Sequence, residues 1–161
     1  MTNTRSLLFV ASLALAGASL VHADTAAPWG RATPLHTTYA PQKVVYDVSV
    51  DSERALGGVL DRLSFLNTLY EANPFDAHIV VVLHGNEIPM FAVKNLGKHR
   101  ELMARAVSLT RAGPIEFRMC AAAARLHGLA PEDIHGFVKM APMADAEIIK
   151  LQREGGYAYM R

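Results

Sequence analysis

Cysteine is nearly missing from this 161-residue sequence, and the single copy is Cys120. One cysteine cannot close a disulfide within its own chain, which excludes the small disulfide-stapled folds. It also cannot supply a zinc site that is built on several thiolates. The sequence also lacks a large net charge, because its 16 basic residues nearly balance its 15 acidic ones. No strong basic field therefore points to nucleic acid, and no acidic tail indicates a charged binding partner.

Common catalytic and nucleotide-binding motifs are also missing. The sequence contains no Walker phosphate loop, no G-x-G-x-x-G after the first predicted strand, no G-x-S-x-G elbow and no H-E-x-x-H pair. The loop after that strand, residues 49–52, lacks glycine and so does not resemble a flavin phosphate site. The sequence therefore predicts no bound cofactor. Its composition, 51% hydrophobic and 19% charged, is typical of one globular domain.

The first 23 residues have the pattern of a secretory signal peptide. Arg5 precedes an uncharged apolar run over residues 6–20, and Val21 and Ala23 occupy the positions that a signal peptidase reads. A membrane anchor is the alternative, but the run is shorter than the ~20 residues that span a bilayer. The sequence therefore predicts export with cleavage after Ala23, a periplasmic or secreted location, and no membrane attachment after cleavage.

N-terminal sequencing of the native protein checks this prediction. We expect the mature chain to begin near Asp24, and to be formally neutral because Arg5 is the only charged residue removed. A native protein that still begins at Met1 or Thr2 would contradict it.

Residues 24–42 are predicted to form an extended leader before a folded domain at 43–161. The leader has no periodic pattern of apolar residues, and it contains four residues that interrupt helices and strands: Pro28, Gly30, Pro34 and Pro41. Trp29 and Tyr39 would either anchor the leader to the domain or a partner, or belong to an unanchored tail. The pattern does not choose between the two.

Strand and helix patterns alternate through residues 43–161. Residues 43–50 and 77–84 are nearly continuous β-branched and apolar runs, typical of strands that are buried on both faces. Between them, apolar residues recur at helical spacing from a cap at Asp51 or Ser52 to about residue 72. Further strands are predicted at 115–119, 134–139 and 157–160, and further helices at 98–112, 121–127 and 141–154. This order predicts an α/β fold, a three-layer α/β/α sandwich around a mainly parallel five-stranded sheet.

Cys120 falls where the third predicted strand meets a helix. Free backbone N–H groups and the positive end of the helix dipole at such a junction favour a thiolate, and Arg118 and Arg125 add positive charge nearby. Ligands of parallel α/β sheets bind at the carboxyl ends of the strands. Cys120 is therefore a candidate catalytic residue. The alternative is a small, inert, buried side chain, which is common for free cysteine.

His84 is the second candidate catalytic residue. It ends the second predicted strand, which places it at the same edge of the sheet as Cys120, where an imidazole could pair with a thiolate. A structural histidine that bonds the loop backbone is the alternative. Three methionines are predicted near this edge: Met119, Met140 and Met143. Thiolate and thioether together suit copper(I), so a metal or small-ligand binder using Cys120, Met119 and His84 is a second hypothesis, although such methionines are often core filling.

The loop after the second strand, residues 85–91, contains the apolar residues Ile88, Met90 and Phe91. If this loop is exposed, an apolar surface of this kind indicates a contact with another protein. We therefore predict self-association through a face near the Cys120 edge. A structural oligomer subunit with an inert Cys120 is the third hypothesis for the chain's role.

Over residues 43–161 the chain resembles the DsrE/DsrF-like family of sulfur-relay proteins, the DsrEFH/TusD group. The resemblance rests on the strand–Cys120–helix arrangement, on His84 and Gly85 after the second strand, and on the ending over residues 147–159. It implies a DsrEFH-like α/β/α fold and homo- or hetero-oligomers. It further implies that Cys120 carries sulfane sulfur as a persulfide, with sulfur donors and acceptor thiol proteins or small thiols as partners. His84 matches a family position.

Overall fold

The computed structural model describes residues 30–111 and 113–161. The predicted signal peptide and Trp29 lie outside the described residues. Residues 30–37 are exposed and form no helix or strand. Residues 38–161 form a compact unit, in which Tyr39 is 52% exposed. Within the described part of the chain, no helix is both long enough and apolar enough to cross a membrane.

The compact unit is built on one sheet of five strands, all of them parallel. The strands are β1 (Gln42–Val48), β2 (Ala77–Leu83), β3 (Ile115–Cys120), β4 (Val138–Ala141) and β5 (Ala158–Met160). Their order across the sheet is β4-β3-β2-β1-β5. The helices are α1 (Glu53–Leu69), α2 (Leu96–Arg111), α3 (Ala121–Leu126) and α4 (Ala144–Gly155). The predicted α/β class and the five-stranded parallel sheet are confirmed.

Side chains alternate between the two faces of the sheet, and each face has its own core. On one face, which we call the α1/α2 face, Val44, Ile79 and Phe117 pack with residues of α1 and α2 such as Leu60 and Met103. The opposite face, which we call the α4 face, packs a smaller cluster against α4: Val45, Val80, Val82, Cys120, Ala144, Ile148 and Leu151. The two covered faces make the three layers of the predicted sandwich.

The helix ends follow local capping chemistry. Ser52 caps α1, because its Oγ accepts a hydrogen bond from the N–H of Ala55 at 3.3 Å. The helix ends at Leu69 rather than near residue 72, since Glu71 and Ala72 have left-handed backbone angles, φ 52° and 55°. At the end of α4, Gly156 adopts φ 70°, which favours glycine, and its N–H bonds the carbonyl of Leu151.

The fourth strand begins later than the sequence predicts. A strand over 134–139 was expected, but β4 covers Val138–Ala141. Residues Pro131–Asp133 form a short 3₁₀ helix, and Ile134 makes an isolated antiparallel bridge to Ala92 instead of joining the sheet. The apolar residues around 134 therefore cover the α1/α2 face before the chain reaches the sheet edge.

The prediction of an exposed apolar loop at residues 85–91 is wrong. Ile88–Phe91 forms a 3₁₀ helix, and Ile88, Met90 and Phe91 are 0%, 8% and 0% exposed. The ring of Phe91 lies 6.0 Å from that of Phe117 on β3. The short helix therefore turns its apolar residues into the α1/α2 core, and these three residues offer no surface to a second protein.

Candidate functional site

Cys120 is the last residue of β3 and the residue that caps α3. Its Sγ accepts a hydrogen bond from the N–H of Ala123 at 3.4 Å, which is the geometry of a helix N-cap. The residue is 5% exposed and belongs to the core cluster of the α4 face, which also contains Ala144 and Ile148. The thiol is therefore almost enclosed, yet it keeps a polar donor directed at the sulfur.

Arg118, which the sequence suggested as a charge near the thiol, is committed elsewhere. Its Nε lies 2.5 Å from Oε1 of Glu116, and its guanidinium also pairs with Glu147 on α4. Lys139 pairs with the second oxygen of Glu116. Arg125 is exposed on α3. The positive charge of Arg118 is thus balanced by two carboxylates, which leaves the α3 backbone as the polar group at the sulfur.

This network makes the stability of the fold sensitive to acid. Burial raises the pKa of Glu116, but hydrogen bonds from Lys139 and Arg118 and their positive charge outweigh it and hold the pKa below its ordinary value of 4.5. A carboxylate with a lowered folded pKa stabilises the fold above the ordinary value and loses that contribution as the pH falls through the folded pKa.

We therefore expect Glu116→Gln to lower the free energy of unfolding at pH 7 by on the order of 1 kcal/mol. We also expect it to flatten the loss of stability below pH 4.5. Urea unfolding of both proteins at pH 7 and pH 3 measures the difference. If the free energy of unfolding falls by the same amount from pH 7 to pH 3 in both proteins, the expectation is wrong.

His84 lies just beyond the end of β2 and contacts the first strand. Its Nε2 is 2.5 Å from Oδ1 of Asp47 on β1, and the hydroxyl of Tyr159 on β5 donates to Oδ2 of Asp47 at 2.5 Å. We call this hydrogen-bonded group, Tyr159–Asp47–His84, the edge triad. The His84 side chain is 27% exposed and that of Asp47 is 18% exposed. The triad therefore joins three strands and is open to solvent at the histidine.

The hydrogen bonds of the edge triad fix the protonation of its members. Burial raises the pKa of Asp47, but the hydrogen bonds from Tyr159 and His84 outweigh it and hold the pKa below its ordinary value. The bond to Asp47 raises the pKa of Tyr159. Asp47 is therefore ionised near neutral pH and can only accept hydrogen bonds. The proton between Asp47 and His84 consequently belongs to Nε2 of the imidazole.

The structure places Cys120 and His84 side by side without a direct bond between them. Leu83 pairs with Met119 in the parallel register, so His84 follows opposite Cys120 on the neighbouring strand. Because successive side chains of a strand point to opposite faces of the sheet, Cys120 and His84 both lie on the α4 face, as do Val82 and Asp47. The His84 ring turns towards β1, however, and among the described residues no hydrogen bond joins it to Cys120.

The three members of the copper(I) hypothesis do not meet as one ligand set. Met119 is 0% exposed and packs in the α1/α2 core, whereas Cys120 faces α4. Adjacent residues of a strand point to opposite faces, which is why the sequence neighbours separate. Within residues 30–111 and 113–161, no group of three or more His, Cys, Asp or Glu side chains is placed to hold a metal ion.

Sequence reasoning missed two members of the edge triad. Asp47 carried a usable signal, because a carboxylate inside an otherwise apolar strand needs a buried partner. Tyr159 carried none, since its contact with Asp47 spans 112 residues and depends on β5 pairing with β1 rather than with β4.

The fold and this edge define a parallel α/β sandwich with an enclosed thiol and a Tyr–Asp–His group at the carboxyl ends of its strands. No protein-family model and no curated protein matches the chain. A solved structure is similar to it, that of the protein of unknown function MTH1491 from Methanobacterium thermoautotrophicum. The TM-score is 0.63 at 21% identity, over 74% of this chain and 98% of that chain. At this identity the similarity shows the fold alone.

Proposed function

We propose that the chain handles sulfane sulfur and holds it as a persulfide on Cys120. The observation that carries the proposal is a hydrogen bond at the carboxyl end of a parallel strand. The N–H of Ala123 donates it to Sγ of Cys120. The thiolate is the form of cysteine that attacks sulfur, and a backbone N–H directed at Sγ gives an enclosed sulfur a polar partner. The resemblance to sulfur-relay proteins of the DsrE/DsrF-like family supports the same chemistry at the same residue.

The loading reaction is a thiol exchange that conserves electrons. The Cys120 thiolate attacks the outer sulfur of a donor persulfide, R–S–SH, and a new S–S bond forms on Cys120 as the donor S–S bond breaks. The donor leaves as the thiolate R–S⁻, and Cys120 becomes Cys120–S–SH. No outside oxidant or reductant takes part, because the sulfane sulfur moves with its oxidation level unchanged.

The burial of Cys120 bears on which donors fit. Only 5% of the residue is exposed, and Ala144 and Ile148 of α4 pack beside it. A narrow inorganic donor such as hydropolysulfide reaches an enclosed sulfur more easily than the persulfide of a folded protein. We therefore take polysulfide as the probe for this activity.

The test is intact-mass measurement after brief polysulfide treatment, together with alkylation of the native protein. We expect Cys120 to gain about 32 Da per sulfur atom and to react with iodoacetamide without unfolding. A cysteine that gains no sulfur and resists alkylation until the chain is unfolded would show that Cys120 is an inert core residue. The structural-subunit hypothesis would then replace the carrier proposal.

Export and self-association belong to the same proposal. The predicted signal peptide supports a periplasmic or secreted location, which N-terminal sequencing tests. With Ile88, Met90 and Phe91 buried, support for self-association near the Cys120 edge comes from other side chains. Leu126 at the end of α3 is 89% exposed, and Met143 before α4 is 50% exposed.

We expect Leu126→Asp to weaken self-association, because a charge replaces an exposed apolar side chain close to Cys120. The matched control is Phe75→Asp, since Phe75 is 90% exposed but precedes β2 at the opposite edge of the sheet. Light scattering at tens of micromolar, roughly where weak interfaces populate, compares them. A monomeric unaltered protein, or equal effects of the two variants, would remove this part of the proposal.

A further inference from the structure

The edge triad leaves one nitrogen of His84 without a proton. Asp47 is ionised and accepts from Tyr159 through Oδ2 and from Nε2 of His84 through Oδ1. In the neutral imidazole only one ring nitrogen carries hydrogen, so Nδ1 is a bare acceptor. A carboxylate partner in this position also fixes the orientation of the ring.

The position of this base relative to Cys120 is set by the sheet. His84 follows Leu83, which pairs with Met119, so His84 and Cys120 are neighbours on strands about 4.8 Å apart. Both lie on the α4 face, but the His84 side chain is 27% exposed while Cys120 is 5% exposed. A solvent-accessible base therefore stands beside an enclosed sulfur.

Two other charged groups at this edge, Glu87 and Arg118, are already paired. Glu87 is fully buried and its two oxygens accept backbone N–H groups from Gly85 and Val50. Arg118 is paired with Glu116 and Glu147. The groups that face His84 across β1 and β5 are Asp47 and Tyr159, and the charge of Arg161 acts on Asp47 from the end of the chain. His84 is therefore a group at the Cys120 edge that can accept a proton from an incoming molecule.

We propose that His84 is the catalytic base for unloading sulfur from Cys120 to a small acceptor thiol, and that Asp47 and Tyr159 are its positioning residues. This inference rests on the proposed function. Nδ1 of His84 takes the proton of the acceptor R–SH, and R–S⁻ attacks the outer sulfur of Cys120–S–SH. The new S–S bond forms as the bond to Sγ breaks, which yields R–S–SH. The imidazolium then gives its proton to solvent, and Cys120 is left as the thiolate that the loading step uses, so that atoms and charge balance.

The experiment loads the purified protein with polysulfide, removes the excess, adds N-acetylcysteine and follows loss of the added sulfur by intact mass. We expect His84→Gln to release the sulfur that it has taken up about 10²-fold more slowly than the unaltered protein, the usual contribution of a general base. Asp47→Asn should slow unloading less, because the imidazole remains. The matched control is His78→Gln: His78 is a histidine on the same face whose Nδ1 lies 2.5 Å from the Tyr157 hydroxyl. The His78→Gln protein should unload its sulfur at the rate of the unaltered protein.

A second measurement needs no substitution in the site. Long-range ¹H–¹⁵N correlation spectra of the unaltered protein should show neutral His84 with its proton on Nε2, and Asp47→Asn should shift that signature. Equal unloading rates of His84→Gln and His78→Gln, or a proton on Nδ1 in the unaltered protein, would overturn this inference while the carrier function stands. If unaltered Cys120 takes up no sulfur at all, the proposed function is wrong and this inference is wrong with it.

Discussion

We expect Cys120→Ser to abolish the uptake of sulfur from polysulfide, from a full adduct in the unaltered protein to none in the variant. This is the largest effect that we expect, because a serine oxygen does not form the S–S bond that holds sulfane sulfur. The variant should still fold, since serine is a favoured helix cap and its hydroxyl can accept the N–H of Ala123 in place of Sγ. Intact mass and circular dichroism of the same samples measure both properties.

The control for Cys120→Ser is Met119→Leu. Met119 is the neighbouring residue and is fully buried, but it packs in the core of the opposite face. A volume-conserving exchange there costs less than about 1.5 kcal/mol and leaves the thiol in place, so loading should be unchanged. Equal sulfur uptake by Cys120→Ser and the unaltered protein would mean that the sulfur binds elsewhere, which excludes Cys120 as its carrier.

Glu87→Gln should produce the largest loss of stability among conservative single substitutions at this edge. Glu87 is 0% exposed, and its Oε1 and Oε2 each accept a backbone N–H at 2.8 Å, from Gly85 and from Val50. Glutamine has a single acceptor oxygen, so its NH₂ group would meet one of these N–H donors and leave it unpaired. A buried unpaired donor costs about 1–3 kcal/mol.

Little room exists for the loop to relax around that substitution. A Cβ placed on Gly85 would lie 2.5 Å from Oγ of Ser49 and 2.7 Å from Oε2 of Glu87. Urea unfolding of Glu87→Gln against Glu132→Gln, an exposed glutamate of the 3₁₀ helix before β4, measures the cost of the buried site alone. A free energy of unfolding that is equal for the two variants would show that Glu87 does not hold the loops together.

The fold was predictable because its periodicities are local. Each segment's own sequence pattern predicts which of its residues are buried. The pattern is an apolar run in β1 and β2, and in α1 it is the helical spacing of Leu56, Leu60 and Leu63. The start of β4 was not predictable in the same way. Ile134 is apolar like a strand residue, but it bridges to Ala92 from a distant loop. Ile88–Phe91 was misassigned for the same reason, since a buried 3₁₀ helix has no period of its own.

The candidate site was partly predictable from the strand ends. Cys120 and His84 lie at the carboxyl edge because parallel strands place their ends together, and both occur where the pattern put them. The partner of His84 was not predictable. Asp47 becomes its neighbour only because β2 lies between β1 and β3, and Tyr159 joins only because the last strand returns to β1.

The pairing of β5 with β1 makes the edge triad sensitive to proteolytic loss of the last strand. β5 is three residues long and all three are exposed, so it contributes little to the core, while β1 to β4 carry both clusters of buried residues. A molecule clipped by a protease just before Ala158 would keep β1 to β4 and Cys120 but would leave Asp47 without the hydroxyl of Tyr159. Intact and clipped molecules would then have similar stability but different hydrogen bonding at Asp47. An affinity tag joined after Arg161 would begin three residues after Tyr159.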